Sequence, residues 1–315
     1  MTFNVRPATS EYAELTRFAE VVNDVTPENP TSLEELRWQD ENYDGERYIA
    51  ELAGKTVGVA TVGQIISYRP DFERWWVNVL VREPHRRQGI GSALLASGSR
   101  AARAVGKTGL QTSLSERHAD GFAFLQHRGF VEFDRYRMVE LDLRRLPKPA
   151  VEQPPGVEIT SLASRPDLVT GVHAVAELAF PDIPHADEPM QAGSLEEFRK
   201  RDVDRPGMPR DAFYVALDVA TGDVIGYASL FRIPGRRDAA WHDMTAVAPA
   251  HRGRGIATAL KRATIAWAID AGMHVLETGN DVENAPMRAV NAALGYRPIP
   301  DEVGLRGPLA DEPTP

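Results

Sequence analysis

The chain has 315 residues, of which 43% are hydrophobic and 26% charged, a globular composition long enough for two domains of ~150 residues. A formal net charge of −9 argues against general nucleic-acid binding, and neither a membrane-spanning apolar run nor a secretory leader is visible. The absence of cysteine removes disulfides, a thiolate nucleophile and a thiolate zinc site, and points to the reducing cytoplasm.

In chain order, residues 4–6 open as a strand and 10–22 follow as a helix. Ser32, with Glu35 three positions on, is a capping box for a second helix. Strands over 48–52 and 57–64 flank the turn signal Ala53-Gly54-Lys55. Residues 74–81 read as a strong strand and 89–105 as a helix with Ile90, Leu94 and Leu95 on one face. A strand over 110–114 and a helix over 119–127, stopped by Gly129, come next. Alternation over 137–143 predicts the closing strand of this half. Pro147, Pro149, Pro154 and Pro155 mark 147–156 as an extended linker. The second half repeats the order. Strands over 213–218 and 224–230 flank Thr221-Gly222-Asp223, and a strand over 241–247, a helix over 255–270, a strand over 274–278 and a helix over 285–294 follow. Residues 298–315 are rich in proline and glycine and offer one weak strand, near 303–305, to close the second sheet.

The repeated order reflects an internal duplication. Arg86-Arg87-Gln88-Gly89-Ile90-Gly91 recurs as Arg252-Gly253-Arg254-Gly255-Ile256-Ala257, and Gly129-Phe130 as Gly295-Tyr296, both displaced by 166 residues. Ser32-Leu33-Glu34-Glu35-Leu36-Arg37 recurs as Ser194-Leu195-Glu196-Glu197-Phe198-Arg199, displaced by 162. These matches predict two tandem α/β (α+β) domains, 1–146 and 157–315, paired about a pseudo-twofold axis in a monomer or forming a homodimer. The halves differ in charge. Residues 1–150 carry 20 Lys and Arg against 21 Asp and Glu, and residues 151–315 carry 16 against 24, for nets of −1 and −8. The acidic second half is either a solubilising surface or the face met by a cationic small molecule.

In each half a strand ends in Val81-Arg82-Glu83-Pro84 or Val247-Ala248-Pro249, a basic loop follows, and glycine opens a helix. Glycine admits close backbone approach, and unpaired first-turn amides with neighbouring arginines cradle a phosphate. A dinucleotide fingerprint fails because Leu94 stands where its third glycine belongs. Gly106-Lys107-Thr108 follows a helix, and Ala101 stands where a phosphate loop needs glycine.

These residues resemble the GNAT (Gcn5-related) N-acetyltransferase family, whose loop reads Arg/Gln-x-x-Gly-x-Gly/Ala. Arg86, Gly89 and Gly91 match it, as do Arg252, Gly255 and Ala257, and the Gly-Phe and Gly-Tyr pairs match the family's later helix end. The resemblance implies, in each half, a mixed and mostly antiparallel sheet with splayed central parallel strands flanked by helices. It also implies acetyl-CoA or another short acyl-CoA, with the diphosphate on Arg86, Arg87, Gln88, Gly89, Ile90, Gly91 and Ser92, and on Arg252, Gly253, Arg254, Gly255, Ile256, Ala257 and Thr258. Main-chain groups at Val79, Val81, Thr245 and Val247 would lie along the pantetheine and thioester, where an amide stabilises the oxyanion. The family transfers the acyl group directly, so no cysteine is needed.

Strict alternation puts Val79, Val77 and Trp75 on the face of Val81, and Thr245, Asp243 and Trp241 on the face of Val247. The second half alone offers a carboxylate there, which makes Asp243 the base candidate, directly or through water, and Glu277 on the neighbouring strand the alternative. His242 points the other way, to packing or surface. Trp75 and Trp76 read as core and interface. Where many family members place a tyrosine acid, this chain has Leu125 and Asn291, so Asn291 can give only a hydrogen bond and water is left as the thiolate's acid. Asn284 reads as a helix cap, as a cofactor contact, or as both; its first-half counterpart is His118. Phe180, Asp182, His185, Asp187, Glu188 and Met190 lie in the segment that lines the family's acceptor site; Asp24 to Asn29 is the first-half equivalent. The expected activity is N-acetylation of a small cationic primary amine, with the second domain catalytic and with no nucleic-acid or membrane partner. A non-catalytic acyl-CoA-binding module and acetylation of a protein amine are the alternatives.

Overall fold

The structure, a computed structural model, describes residues 2–66, 68–184 and 189–311. It divides into two compact units: Met1–Arg135 with Glu302–Pro315, and Tyr136–Asp301. Unit 1 contains β1 (Asn4–Pro7), α1 (Tyr12–Val25), α2 (Leu33–Asn42), β2 (Gly45–Leu52), β3 (Lys55–Gly63), β4 (Arg74–Val81), α3 (Ile90–Ala104), β5 (Gly109–Ser115) and α4 (Ala119–Gln126). The chain passes to unit 2 within β6 (Val131–Asp142). There follow β7 (Val157–Ser161), α5 (Val169–Ala179), α6 (Leu195–Phe198), β8 (Tyr214–Asp218), β9 (Val224–Arg232), β10 (Ala239–Val247), α7 (Ile256–Asp270), β11 (Val275–Asp281), α8 (Ala285–Ala293) and β12 (Arg297–Pro298). The last strand, β13 (Glu302–Pro308), belongs to unit 1.

In unit 1 the strand order is β1-β2-β3-β4-β5-β13. Every pairing is antiparallel except the central β4–β5, which is parallel. Alternation sorts the side chains onto two faces. Ile49, Val59 and Leu80 pack with Leu15, Phe18 and Leu36 of α1 and α2, while Ala60, Val62, Trp75 and Val77 pack with Ile90, Leu94 and Leu125 of α3 and α4. Unit 2 has the order β6-β11-β10-β9-β8-β7, with β12 beside β6 and only β10–β11 parallel. One face packs against α5 and α6 through Val172, Phe198, Val215 and Tyr227. The other packs against α7 through Leu230, Ala240, Ile265 and Leu276.

The expected domain limits, 1–146 and 157–315, are corrected by the ends of the two halves. β6, read as the closing strand of the first half, pairs with β11 from Tyr136↔Asp281 to Asp142↔Val275. β13 pairs with β5 from Glu302↔Ser115 to Pro308↔Gly109. Each half therefore supplies the last strand of the other half's sheet. The physical reason on the β13 side is burial: Val303 and Leu305 join Trp75, Leu125 and Phe130 in the unit 1 core. The register also sets Gly307 against Phe130, where a Cβ would stand 2.5 Å from the ring.

The caps divide in a similar way. Ser32 Oγ accepts from the Glu35 amide at 3.1 Å, but the Glu35 carboxylate is taken by Gln39, so the box is half made. Ser194 and Glu197 complete the reciprocal pair in unit 2, at 3.2 and 2.7 Å.

Candidate active site and cofactor loops

Each glycine loop leaves a central strand and opens a helix. Gly89 and Gly255 cap α3 and α7 with φ of 84° and 78°, a left-handed conformation that favours glycine. The first backbone bonds of these helices run from Ala93 N to Gly89 O and from Ala259 N to Gly255 O. The amides of Ile90, Gly91, Ser92, Ile256, Ala257 and Thr258 therefore have no partner among the described residues. A Cβ on Gly253 or Gly255 would meet nothing within 4 Å, and one on Gly89 only the Phe3 ring, at 3.8 Å. Unpaired amides below open space fit an anion such as a diphosphate.

The loop side chains mostly hold the loop itself. Arg86 Nε donates to Val81 O at 3.0 Å and its Nη1 pairs with Asp120. Arg252 repeats this with Val247 O at 3.1 Å and Asp182. Gln88 donates to Pro84 O, and Arg254 to Pro155 O and toward His251. Arg87, at φ 62°, lines a cavity of about 590 Å³ in unit 1. That cavity runs from Val79, Leu80 and Val81 past the loop to Leu114, His118, Phe124 and Arg128. It exists because β4 and β5 pair only from Arg74↔Gly109 to Trp76↔Gln111. Beyond Trp76 the β4 edge toward β5, carrying Val79 and Val81, has no strand partner among the described residues. β10 and β11 behave alike, pairing from Ala239↔Val275 to Trp241↔Glu277 and leaving Thr245 and Val247 on an open edge.

The two splays differ at the strand. β4 pairs with β3 in unbroken register. β10 has a bulge between His242 and Thr245, where Asp243 and Met244 oppose the single residue Ser229 on β9. Alternation across this segment therefore fails, and Asp243 does not share the face of Val247. It turns to the α5 side, beside Ser229 Oγ at 3.4 Å, while His242 turns to α7. Asp243 is solvent-accessible, yet desolvation by the atoms crowded around it raises its pKa above the ordinary carboxylate value, against the opposing pull of Arg205, Ser229 and Arg201.

Two residues near Asp243 have no sequence signal. Asp202 pairs with Arg201 at 2.8 Å, and its pKa is held up at about 6 chiefly by desolvation, with Arg201 opposing and Asp243 assisting. Tyr227 is buried, stacks on Phe213, and has a hydroxyl without a partner among the described residues.

The remaining candidates have structural partners. Glu277, the alternative base, pairs with Arg236 at 2.6 Å and sits at the closed end of the splay. Asn284 caps α8 by accepting from the Met287 amide. Asn291 is buried and donates to Asn280 Oδ1 at 2.7 Å, while its own Oδ1 has no partner among the described residues. His242 is buried and its two nitrogens are assigned by their neighbours. Thr264 Oγ donates to Lys261 O, so it accepts from His242 Nε2, and Nδ1 accepts from the Tyr296 hydroxyl at 2.9 Å. Desolvation first, then Lys261, holds His242 neutral. Phe180 is core, Asp182 binds Arg252, and Met190 packs at the core's edge; His185, Asp187 and Glu188 lie outside the described residues.

In unit 1, His118 Nε2 meets Glu28 Oε1 at 2.6 Å and Arg82 meets Asp24 at 2.8 Å, so the end of α1 and the segment after it are tied down beside the cavity. No group of three or more metal-ligating side chains occurs among the described residues.

No curated protein matches the chain. Among solved structures, a tandem GNAT protein from the clavulanic acid biosynthesis pathway shares 21% identity with full coverage of both chains and a TM-score of 0.78. A GCN5-related N-acetyltransferase from Sphaerobacter thermophilus shares 17% identity over 99% of this chain and 98% of that one, with a TM-score of 0.73. A glucosamine N-acetyltransferase region of a fungal β-N-acetylglucosaminidase shares 14% identity over 96% of this chain and 38% of that one, at 0.70. These likenesses are of fold. A sequence model of the acetyltransferase (GNAT) family matches residues 12–130 and 173–296. The chain, matched once in each half and folded around two splayed parallel pairs, belongs to the acetyltransferase (GNAT) family.

Proposed function

We propose that the protein is an acetyl-CoA-dependent N-acetyltransferase that acts on a small primary amine by direct transfer, with unit 2 catalytic. The observation that supports this most is the bulge found in β10 and absent from β4, which turns Asp243 out of the sheet just beyond the last parallel rung. Asp243 takes the proton from the incoming ammonium, directly or through water; its raised pKa brings it nearer to that task than an ordinary aspartate. The freed amine attacks the thioester carbonyl, and main-chain amides on the open edge of β10 stabilise the oxyanion. When the C–S bond breaks, the proton still carried by the attacking nitrogen passes through water to the thiolate, because Asn291 holds no ionisable group. Asp202 and Asp243 supply negative charge on the acceptor side that suits a cation.

The missing tyrosine, Leu125 in one half and Asn291 in the other, favours a second reading, a non-catalytic acyl-CoA-binding module. An assay of thiol release against a panel of amines separates the two. Turnover that falls with Asp243→Asn supports the transferase. Tight acetyl-CoA binding without turnover on any amine supports the module.

A further inference from the structure

We propose that Arg87 and Arg128 form a subsite in unit 1 for the 3′-phosphate of coenzyme A, with no equivalent in unit 2; this rests on the acyl-CoA reading above. Arg128 follows the end of α4 and reaches back into the cavity. Its guanidinium sits 3.7 Å from the centre of the Phe124 ring, with Nη1 donating to Phe124 O at 2.7 Å and Nη2 to Ser92 Oγ at 2.6 Å. Three contacts fix it before any ligand arrives. Among the described residues no carboxylate pairs with Arg128 or with Arg87, although other arginines of this chain do form such pairs. Desolvation and the charge of Arg87 both push the Arg128 pKa down, the sign of two cations left uncompensated beside one cavity.

The loop amides already provide for a diphosphate, and the guanidiniums lie beside them. A ligand that fills both needs a further phosphoryl group, and in coenzyme A that group is the 3′-phosphate. Arginine suits it because a planar fork matches phosphate oxygens. The duplication supplies the control. At the positions displaced by 166 residues, Arg87, Phe124 and Arg128 become Gly253, Val290 and Leu294. Unit 2 keeps the loop and lacks the pair.

Titration calorimetry of the full chain with coenzyme A and with 3′-dephospho-coenzyme A tests this. An Ala257→Glu background sets a carboxylate against the unit 2 amides, so that unit 1 reports alone. Coenzyme A is expected to bind at least about tenfold tighter than the dephospho form. Arg128→Leu and Arg87→Gly, each importing the unit 2 residue, should shrink that ratio toward one, with Arg128→Leu leaving the dephospho affinity within about threefold. Equal affinities in the parent protein, or variants that weaken both ligands alike, would overturn the subsite and leave the acyl-CoA reading standing. Binding of neither ligand would remove that reading and the subsite together. Arg87 is exposed on its loop, so its variant reports even if Arg128→Leu disturbs packing.

Discussion

The two units are copies that have moved apart where the helix after the loop meets the sheet. In unit 1 that contact is apolar: Leu95 and Phe130 are core residues, and Gly98 stacks on Val62 and Val77. At the corresponding places unit 2 has Lys261, Thr264 and Tyr296, joined by His242 from the bulged strand. Lys261 is buried, with its ammonium 5.3 Å from the centre of the Tyr296 ring, and desolvation alone lowers its pKa to about 7. The contrast teaches that a duplicated fold can keep its loops and strand order while one copy gives up core stability for polar groups around a strand irregularity. Unit 1 holds the preformed cavity and the extra cations; unit 2 holds the bulge and the carboxylates.

The largest expected effect is at the bulge. Asp243→Asn should lower kcat/KM by about 100-fold or more, the loss typical of a general base, with acetyl-CoA affinity unchanged by calorimetry; no loss in rate would remove the assignment. Next is Lys261. Its folded pKa of about 7 lies below its ordinary value of 10.5, so between those pH values the unfolded chain holds a proton that the native one does not. Stability therefore rises from pH 7 to 10.5, and below 7 the penalty is fully present. Lys261→Met should flatten that slope in thermal melts and stabilise unit 2 at pH 7 by on the order of 2–4 kcal/mol. A variant that keeps the slope would remove Lys261 as its source. Gly307→Ala, by contrast, strikes unit 1, since its Cβ must displace the Phe130 ring. A loss of about 1–3 kcal/mol is expected from chemical denaturation, and restoration by Phe130→Leu would confirm the clash. The smallest change is Ser194→Ala, which removes a complete capping box and should cost about 1 kcal/mol, more than Ser32→Ala in unit 1, where the box is half made.

Much of this comparison is legible in the sequence. The loops repeat at a fixed displacement, and residues 74–81 form the strand that their composition predicts. Glycine before an amphipathic run is a local signal, and local signals survive folding. The Asp243 face is not legible, because nothing in His242-Asp243-Met244 marks an extra residue and one insertion reverses every side chain beyond it. Arg128, Asp202 and Tyr227 carry no motif either; what distinguishes them is which distant residues they meet. The exchange of β6 and β13 escapes for the same reason. A short alternating strand states which face is apolar, and it does not state which sheet will receive it.

That exchange has a consequence for how the protein is made. The sheet of unit 1 acquires its sixth strand from residues 302–308, which leave the ribosome after all of unit 2. The first domain to emerge is thus the last to be finished, and β5 waits with an unsatisfied edge through the synthesis of more than half the chain. Such an edge invites pairing with the wrong strand, so a nascent chain stalled before residue 302 should be the species that chaperones hold longest.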